Sequence, residues 1–339
     1  MKAIRRSGYG SPDVLEFTDV DTPVAGGDDV LVRIRAASLN QGDLDYLYGR
    51  PFLTRMGTGL RTPRYRGLGF DVAGQVEAVG AKASRFKPGD EVFGDLTQFG
   101  WGAFAEFACP PERAWALKPA NLTFEEAATL PQAAIMALQS LRGGGRIRPG
   151  HRVLVNGASG SMGPFTVQIA KSFGAEVTAV DSREKLDMAR SLGADHVIDY
   201  AQEDYTRSGQ QYDWIVDVVG NRSILECRRA LKPGGVYVMV GGSTRRIVGC
   251  LLLGPLLSLT GSRKMGFLWW KPFRKKDVVV LTELIEAGKV RPVIDRRYPL
   301  REVPAALRYL EAGHAKGKVV ITVAAPAAAA ARADESKQD

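Results

Sequence analysis

Residues 153–163 read VLVNGASGSMG, a short apolar run that breaks into small residues. Val153, Leu154 and Val155 suit a buried parallel strand, which need not alternate polar and apolar positions. The small residues that follow let the backbone turn tightly and approach a ligand closely. Beyond them Phe165, Val167, Ile169, Ala170 and Phe173 recur at helical spacing, and Gly174 stands where a helix stop is expected. A strand, a small-residue turn and a helix leave unpaired N–H groups at the helix start. The helix dipole adds partial positive charge there, so the turn favours a phosphate.

The turn Ala158-Ser159-Gly160-Ser161-Met162-Gly163 aligns with the dinucleotide fingerprint, with Ala in place of the first glycine. Asp181 ends the next predicted strand, where an acid accepts hydrogen bonds from both ribose hydroxyls of NAD. Ser182, Arg183 and Lys185 stand close by and suit the 2′-phosphate of NADP. Both cations are expected to be exposed and screened by salt, whereas Asp181 is short and held at the strand end. The reading is an NAD(P)H site with a slight lean to NADH. Val218-Val219-Gly220 and Val240-Gly241-Gly242 end two further predicted strands. Ligands of such sheets bind beyond the carboxyl ends of strands, so these turns should meet the ribose and nicotinamide.

At 339 residues the chain is long enough for two cores. Up to about residue 120 it shows short β-like runs broken by Gly, Pro and Asp, such as VLVRIRAAS (30–38) and DVAGQVEAVG (71–80). From about 122, helix-like and strand-like segments alternate, beginning with a helical stretch over 124–141. The pattern predicts an α/β fold: a Rossmann-type doubly wound parallel sheet plus a small β-domain. The expected organisation is a substrate domain over 1–121 and an NAD(P)-binding domain over 122–265. Residues 266–323 complete the second and return to the first, and the low-complexity 324–339 forms a disordered tail.

Cys109, Cys227 and Cys250 are too few and too scattered for a disulfide framework, which fits a reducing, cytoplasmic setting. The start of the chain has no apolar core of signal-peptide length. The apolar stretch 247–259 is short of the roughly 20 residues a membrane span needs. It reads as a buried segment walling the substrate pocket. A net charge of +9 raises nucleic acid as a partner. The basic and aromatic residues of 263–276 read instead as a solvated face with core aromatics, and no nucleic-acid-binding motif accompanies them.

Further stretches join the turn: AASLNQGD (36–43), GFDVAGQVEAVG (69–80), FKPGDEVFG (86–94), AATLPQAAIMALQSL (127–141) and LKPGGVYVMVGG (231–242). With them the chain resembles the zinc-free, quinone oxidoreductase-like branch of the medium-chain dehydrogenase/reductase superfamily. The resemblance implies a chaperonin-10-like (GroES-like) β-domain at the N-terminus, with the end of the chain folding back onto it. Metal-dependent relatives place zinc ligands at the positions of Asn40, Phe70 and Gln132. Phe cannot ligate zinc, and the two amides are poor ligands for it, so no metal is expected. Without a Lewis acid, the expected acceptor is a quinone or an α,β-unsaturated carbonyl. The resemblance implies catalytic roles for Asn40 and Tyr46, and a pocket lined by Tyr48, Phe70 and Gln132. Asp43 is read as a partner that orients the loop. Relatives pair through an edge strand, for which KMGFLW (264–269) is the candidate, giving a homodimer. Two alternatives stand beside this reading: a catalytically weak dinucleotide-binding protein, and an alcohol dehydrogenase.

Overall fold

The structure is a computed structural model and describes every residue except 53, 144, 146, 260 and 324–339. The expected disordered tail lies outside the described residues. Among the described residues two large sheets organise the chain, beside a two-stranded pair of Lys2–Arg6 with Leu15–Asp19. The first is built on Val30–Ser38, which is almost entirely buried and pairs antiparallel with Asp71–Val79. Glu91–Asp95 and Trp115–Leu117 continue the sheet on that side. On the other side the last strand of the chain, Lys318–Thr322, pairs antiparallel with residues 36–38 and carries Ile294–Pro299 outside it. The C-terminal segment thereby becomes part of the N-terminal β-domain. It brings Lys318 beside Asn40 across most of the sequence.

The second sheet is parallel throughout. Its order is His196–Asp199, Glu176–Asp181, Arg152–Asn156, Tyr212–Asp217, Leu231–Met239 and Lys264–Phe267. In chain order this is 3-2-1-4-5-6, so the order reverses at Arg152–Asn156 and opens a crevice beyond its carboxyl end. The helix Gly163–Ser172 starts at that crevice. The two domains touch through the rings of Phe93 and Phe273, 5.3 Å apart and edge to face. Gln168 adds a second tie, bonded at both ends of its amide to Arg291 main-chain atoms.

Two expectations change. The stretch 124–141 is not one helix but two, Phe124–Ala127 and Ala133–Ser140. Pro131 lacks an N–H and its ring would meet the carbonyl of residue 127, so a continuous helix is interrupted there. The apolar stretch 247–259 is not a buried segment. It belongs to the helix Thr244–Leu259, which packs one side on the edge strand Lys264–Phe267 and turns leucines to solvent on the other.

Candidate active site

The Gly-rich turn bears two glycines with different tasks. A Cβ on Gly160 would meet nothing within 4 Å, so the turn is open on that side. A Cβ on Gly163 would lie 2.3 Å from main-chain atoms of Gly157 and Ala158, so the helix can start this close only with glycine. Open space over backbone N–H groups at a helix start is the cradle a pyrophosphate requires. Asp181 braces the turn. Its Oδ2 accepts from the Ser159 N–H at 2.8 Å and its Oδ1 from the Ser182 N–H at 2.9 Å.

Lys185 is buried rather than exposed. Its Nζ donates to the Gly313 carbonyl at 3.1 Å, and the Ser159 hydroxyl donates to its main-chain oxygen at 3.2 Å. Lys185 ends the short 3-10 turn Arg183–Lys185, and its side chain reaches the carbonyl just beyond the helix Val303–Glu311. Beyond the neighbouring strands, the turns at Val218-Val219-Gly220 and Val240-Gly241-Gly242 touch. A Cβ on Gly220 would lie 2.4 Å from the Gly241 oxygen, and Val219 stays exposed. Under them Asp217 accepts from Asn156 Nδ2 (2.8 Å), the Gly220 N–H (2.8 Å) and the Tyr237 hydroxyl (2.9 Å). Burial pushes the Asp217 carboxyl up from its ordinary value. The network ties three strand ends into one rigid floor.

On the substrate side, Asn40 is held by two buried charges. Its Nδ2 donates to Asp71 Oδ2 at 2.9 Å, and its Oδ1 accepts from Lys318 Nζ at 2.7 Å. Lys318 also donates to the Leu39 carbonyl at 2.9 Å and lies 3.5 Å from Asp71, both side chains being fully buried. Asp43 Oδ2 accepts from the Asn40 N–H at 2.7 Å and so fixes the start of the helix Gln41–Tyr48. Burial is the main cause that holds Asp43 well above, and Asp71 above, the usual carboxylate range, and that lowers Lys318. Asp95 sits beside them. Burial first, then the Asp71 charge, raise it to about 7. Gln132 is tied to Thr97, next to Asp95. Its amide donates to Thr97 Oγ1 at 3.0 Å, while the Thr97 N–H donates to Asp95.

Tyr46 packs against Trp101 (ring centroids 4.7 Å apart) and edge-on to Phe70 (5.4 Å). Phe70 itself is fully buried and backs this wall rather than forming its surface. Burial and neighbouring Asp45 raise the Tyr46 phenol. Tyr48 lies elsewhere: it hydrogen-bonds to Glu311 of the helix Val303–Glu311, which also raises its phenol. Two residues along a helix turn the side chain by about 200°, so Tyr46 and Tyr48 cannot share a face. Tyr48 is not part of the aromatic wall.

Sequence reasoning missed four residues here. Lys318 is remote along the chain. Asp95 ends the strand Glu91–Asp95, and its neighbour Asp71 lies on the adjacent strand, remote in sequence. Arg6 is buried beneath the wall, donating to the Tyr46 and Tyr65 carbonyls with its guanidinium 5.3 Å from the Trp101 ring; burial lowers it to about 10. Trp101 had a visible signal, a tryptophan between two glycines. It adopts φ 66°, a conformation that only surrounding packing would impose on such a residue.

Known proteins place this geometry. Residues 26–120 match the alcohol dehydrogenase GroES-like domain, and residues 192–321 match a model described as zinc-binding dehydrogenase. The chain is 36% identical to 2-methylene-furan-3-one reductase of Solanum lycopersicum, across 95% of this chain and 79% of that protein. The chain belongs to the quinone oxidoreductase-like branch of the medium-chain dehydrogenase/reductase superfamily. Another member, the mitochondrial NAD(P)H oxidoreductase RTN4IP1 of Mus musculus, is 33% identical over 93% of this chain and 87% of its own. The quinone oxidoreductase of Coxiella burnetii superposes with a TM-score of 0.85 at 29% identity, covering 96% and 99% of the two chains. As a medium-chain dehydrogenase/reductase, this protein is an NAD(P)H oxidoreductase of the quinone/enone type. Among the described residues there is no group of three His, Cys, Asp or Glu able to hold a metal ion.

Proposed function

We propose that this enzyme reduces a quinone or an α,β-unsaturated carbonyl with NADH or NADPH and without a metal ion. The observation that carries the reading is the fixed amide of Asn40. Its nitrogen bears two hydrogens, and Asp71 takes one. The second is the donor we assign to the acceptor's oxygen. Beside it, the Tyr46–Trp101 wall suits a flat conjugated molecule. When bound, the nicotinamide supplies the hydride. Gly160 and the helix start hold the pyrophosphate, Asp181 the ribose, and the floor around Gly220 and Gly241 the nicotinamide end. Asn40 then steadies the charge that appears on the conjugated oxygen. The raised phenol of Tyr46 keeps its proton at neutral pH and can deliver it there.

NADH and NADPH oxidation with a panel of quinones, enones and simple aldehydes tests this reading. Turnover is expected with the first two classes and should not respond to a chelator. Asn40→Ala should lower kcat by about 100-fold, as loss of one such donor does elsewhere. Chelator-sensitive oxidation of simple alcohols, or cofactor binding without turnover, would remove it. Asp181 favours a modest NADH preference with both cofactors accepted. The free thiols of Cys109, Cys227 and Cys250 fit a reducing compartment such as the cytoplasm. Lys264–Phe267 is the edge of its sheet, and we assign it to two-fold pairing. A monomer by light scattering at micromolar concentration would rule that out.

A further inference from the structure

The helix Thr244–Leu259 sits on one face of the parallel sheet, against its edge strand. Its inner side is formed by Cys250 and Gly254, both buried, with Gly254 pressed against the Met265 carbonyl. Its outer side is also apolar. Val248, Leu252, Leu256 and Leu259 fall on one stripe at helical spacing, with Leu252 67% exposed and Leu259 83% exposed. Leu253 and, at the end of the adjoining strand, Trp269 add to it. The helix contains no acidic residue. An exposed apolar stripe of this extent marks a contact surface.

Arginines surround it. Arg245 and Arg246 open the helix, and Arg263 follows it. Arg228 and Arg229 end the helix Ile224–Arg229, which packs against it. Arg228, Arg229 and Arg263 line an open recess of about 730 Å³ together with Ser223, Leu225 and Glu226. Leu225 is itself exposed. The one acid there, Glu226, is engaged in capping Ser223 through its N–H and hydroxyl. Arg228 Nε is buried without a hydrogen-bond partner. Apolar side chains beside a basic recess match the two layers of a lipid surface, acyl chains and anionic phosphates.

We propose that this face docks the enzyme on an anionic phospholipid surface, with the leucines of Thr244–Leu259 entering the acyl boundary and the arginines meeting phosphate. A second copy of the chain fits less well. A two-fold contact sets the same patch against itself, which here brings arginine to arginine with no acid to answer it. The helix is about 24 Å long, so its outer side offers far less than the roughly 800 Å² per partner of a stable dimer. The lipid surface is independent of which acceptor the enzyme reduces.

Flotation of the full-length enzyme with vesicles tests the proposal, using phosphatidylcholine alone or with about one-third phosphatidylglycerol. Binding is expected only to the anionic vesicles, and it should weaken as salt rises. Leu252→Asn with Leu259→Asn, both on the exposed side, should reduce the bound fraction roughly tenfold. Arg228→Gln with Arg229→Gln should do the same. Neither pair should change the thermal midpoint or turnover of a water-soluble quinone. Three results would overturn it: no flotation of the wild type, equal flotation of the leucine pair, or a dimer that the leucine pair converts to monomer.

Discussion

Lys318→Met tests whether the buried cluster behind Asn40 is a working part of the site. The substitution keeps the length of the side chain and removes its charge. It leaves Asp71 fully buried with no cation near it, since the Lys318 ammonium is 3.5 Å away and nothing replaces it. Breaking one partner out of a buried pair costs about 3–5 kcal/mol. The Leu39 carbonyl and Asn40 Oδ1 also lose their donor, but these losses overlap with the first and do not simply add. The direction with pH follows from the carboxyls. Asp43, Asp71 and Asp95 are all raised in the folded protein. Groups of this kind hold protons more tightly folded than unfolded, so their stabilisation is present at low pH and is lost as pH rises through the folded values. Without Lys318 that loss deepens. Urea unfolding followed by tryptophan fluorescence should therefore show a larger deficit at about pH 8 than at about pH 6. Adding Asp71→Asn should recover part of the stability by removing the stranded charge. It should not recover kcat, because Asn40 remains untethered, while KM for NADH stays near the wild-type value. A single variant within about 1 kcal/mol of wild type, or an Asp71→Asn cost that simply adds to it, would refute the argument.

Asp95→Asn should stabilise the protein above about pH 7, by at most about 4 kcal/mol, because an amide keeps the bond from the Thr97 N–H and carries no charge to bury; thermal midpoints taken across pH should converge with wild type in acid. Gly160→Val should leave the thermal midpoint within the small range of surface changes and weaken NADH binding at least about 100-fold, whereas Gly163→Ala should lower stability itself by more than about 2 kcal/mol; equal cofactor affinity in a folded Gly160→Val protein would misplace the phosphate. Asp181→Asn retains an acceptor for the Ser159 N–H and removes the charge, so the NADPH-to-NADH ratio of kcat/KM should rise about tenfold; an unchanged ratio would mean that Asp181 does not meet the ribose.

What the sequence made legible was local. A strand, a glycine turn and a helix start within a dozen residues announce a phosphate cradle, because every part of the geometry lies within that stretch. Asp43 could be read the same way, three residues from the Asn40 N–H it accepts. Lys318 could not. It reaches Asn40 only because the last strand of the chain joins the first domain's sheet, and no periodicity encodes that pairing. The helix Thr244–Leu259 misled for another reason. An apolar run implies burial only when the rest of the fold has a surface to cover it, and here the strand covers one side alone. Tyr48 was grouped with Tyr46 on the family resemblance, which does not carry the helical angle that separates their side chains.

The Asn40 cluster also limits the chemistry. In metal-dependent relatives this corner of the fold carries a dication that can face a substrate oxygen. Here the cation is the buried Lys318 ammonium, hydrogen-bonded to Asn40 Oδ1 and the Leu39 carbonyl and paired with Asp71. Its charge is absorbed within the protein. The donor proposed for the substrate oxygen, the second N–H of the Asn40 amide, is neutral and therefore weaker than a cation. A neutral donor can steady an enolate or hydroquinone oxygen, whose charge is spread by conjugation, far better than a localised alkoxide. The proposed preference for conjugated acceptors rests on where the positive charge is anchored. Moving that charge outward is the test of the idea. Asn40→His with Phe70→His would offer imidazoles where relatives bind zinc, yet with Lys318 still in place the new site would hold zinc poorly, because the ammonium repels it at short range. Zinc affinity should rise when Lys318→Met is added to that pair, and no gain on adding it would show that the buried ammonium does not oppose a metal ion at this corner.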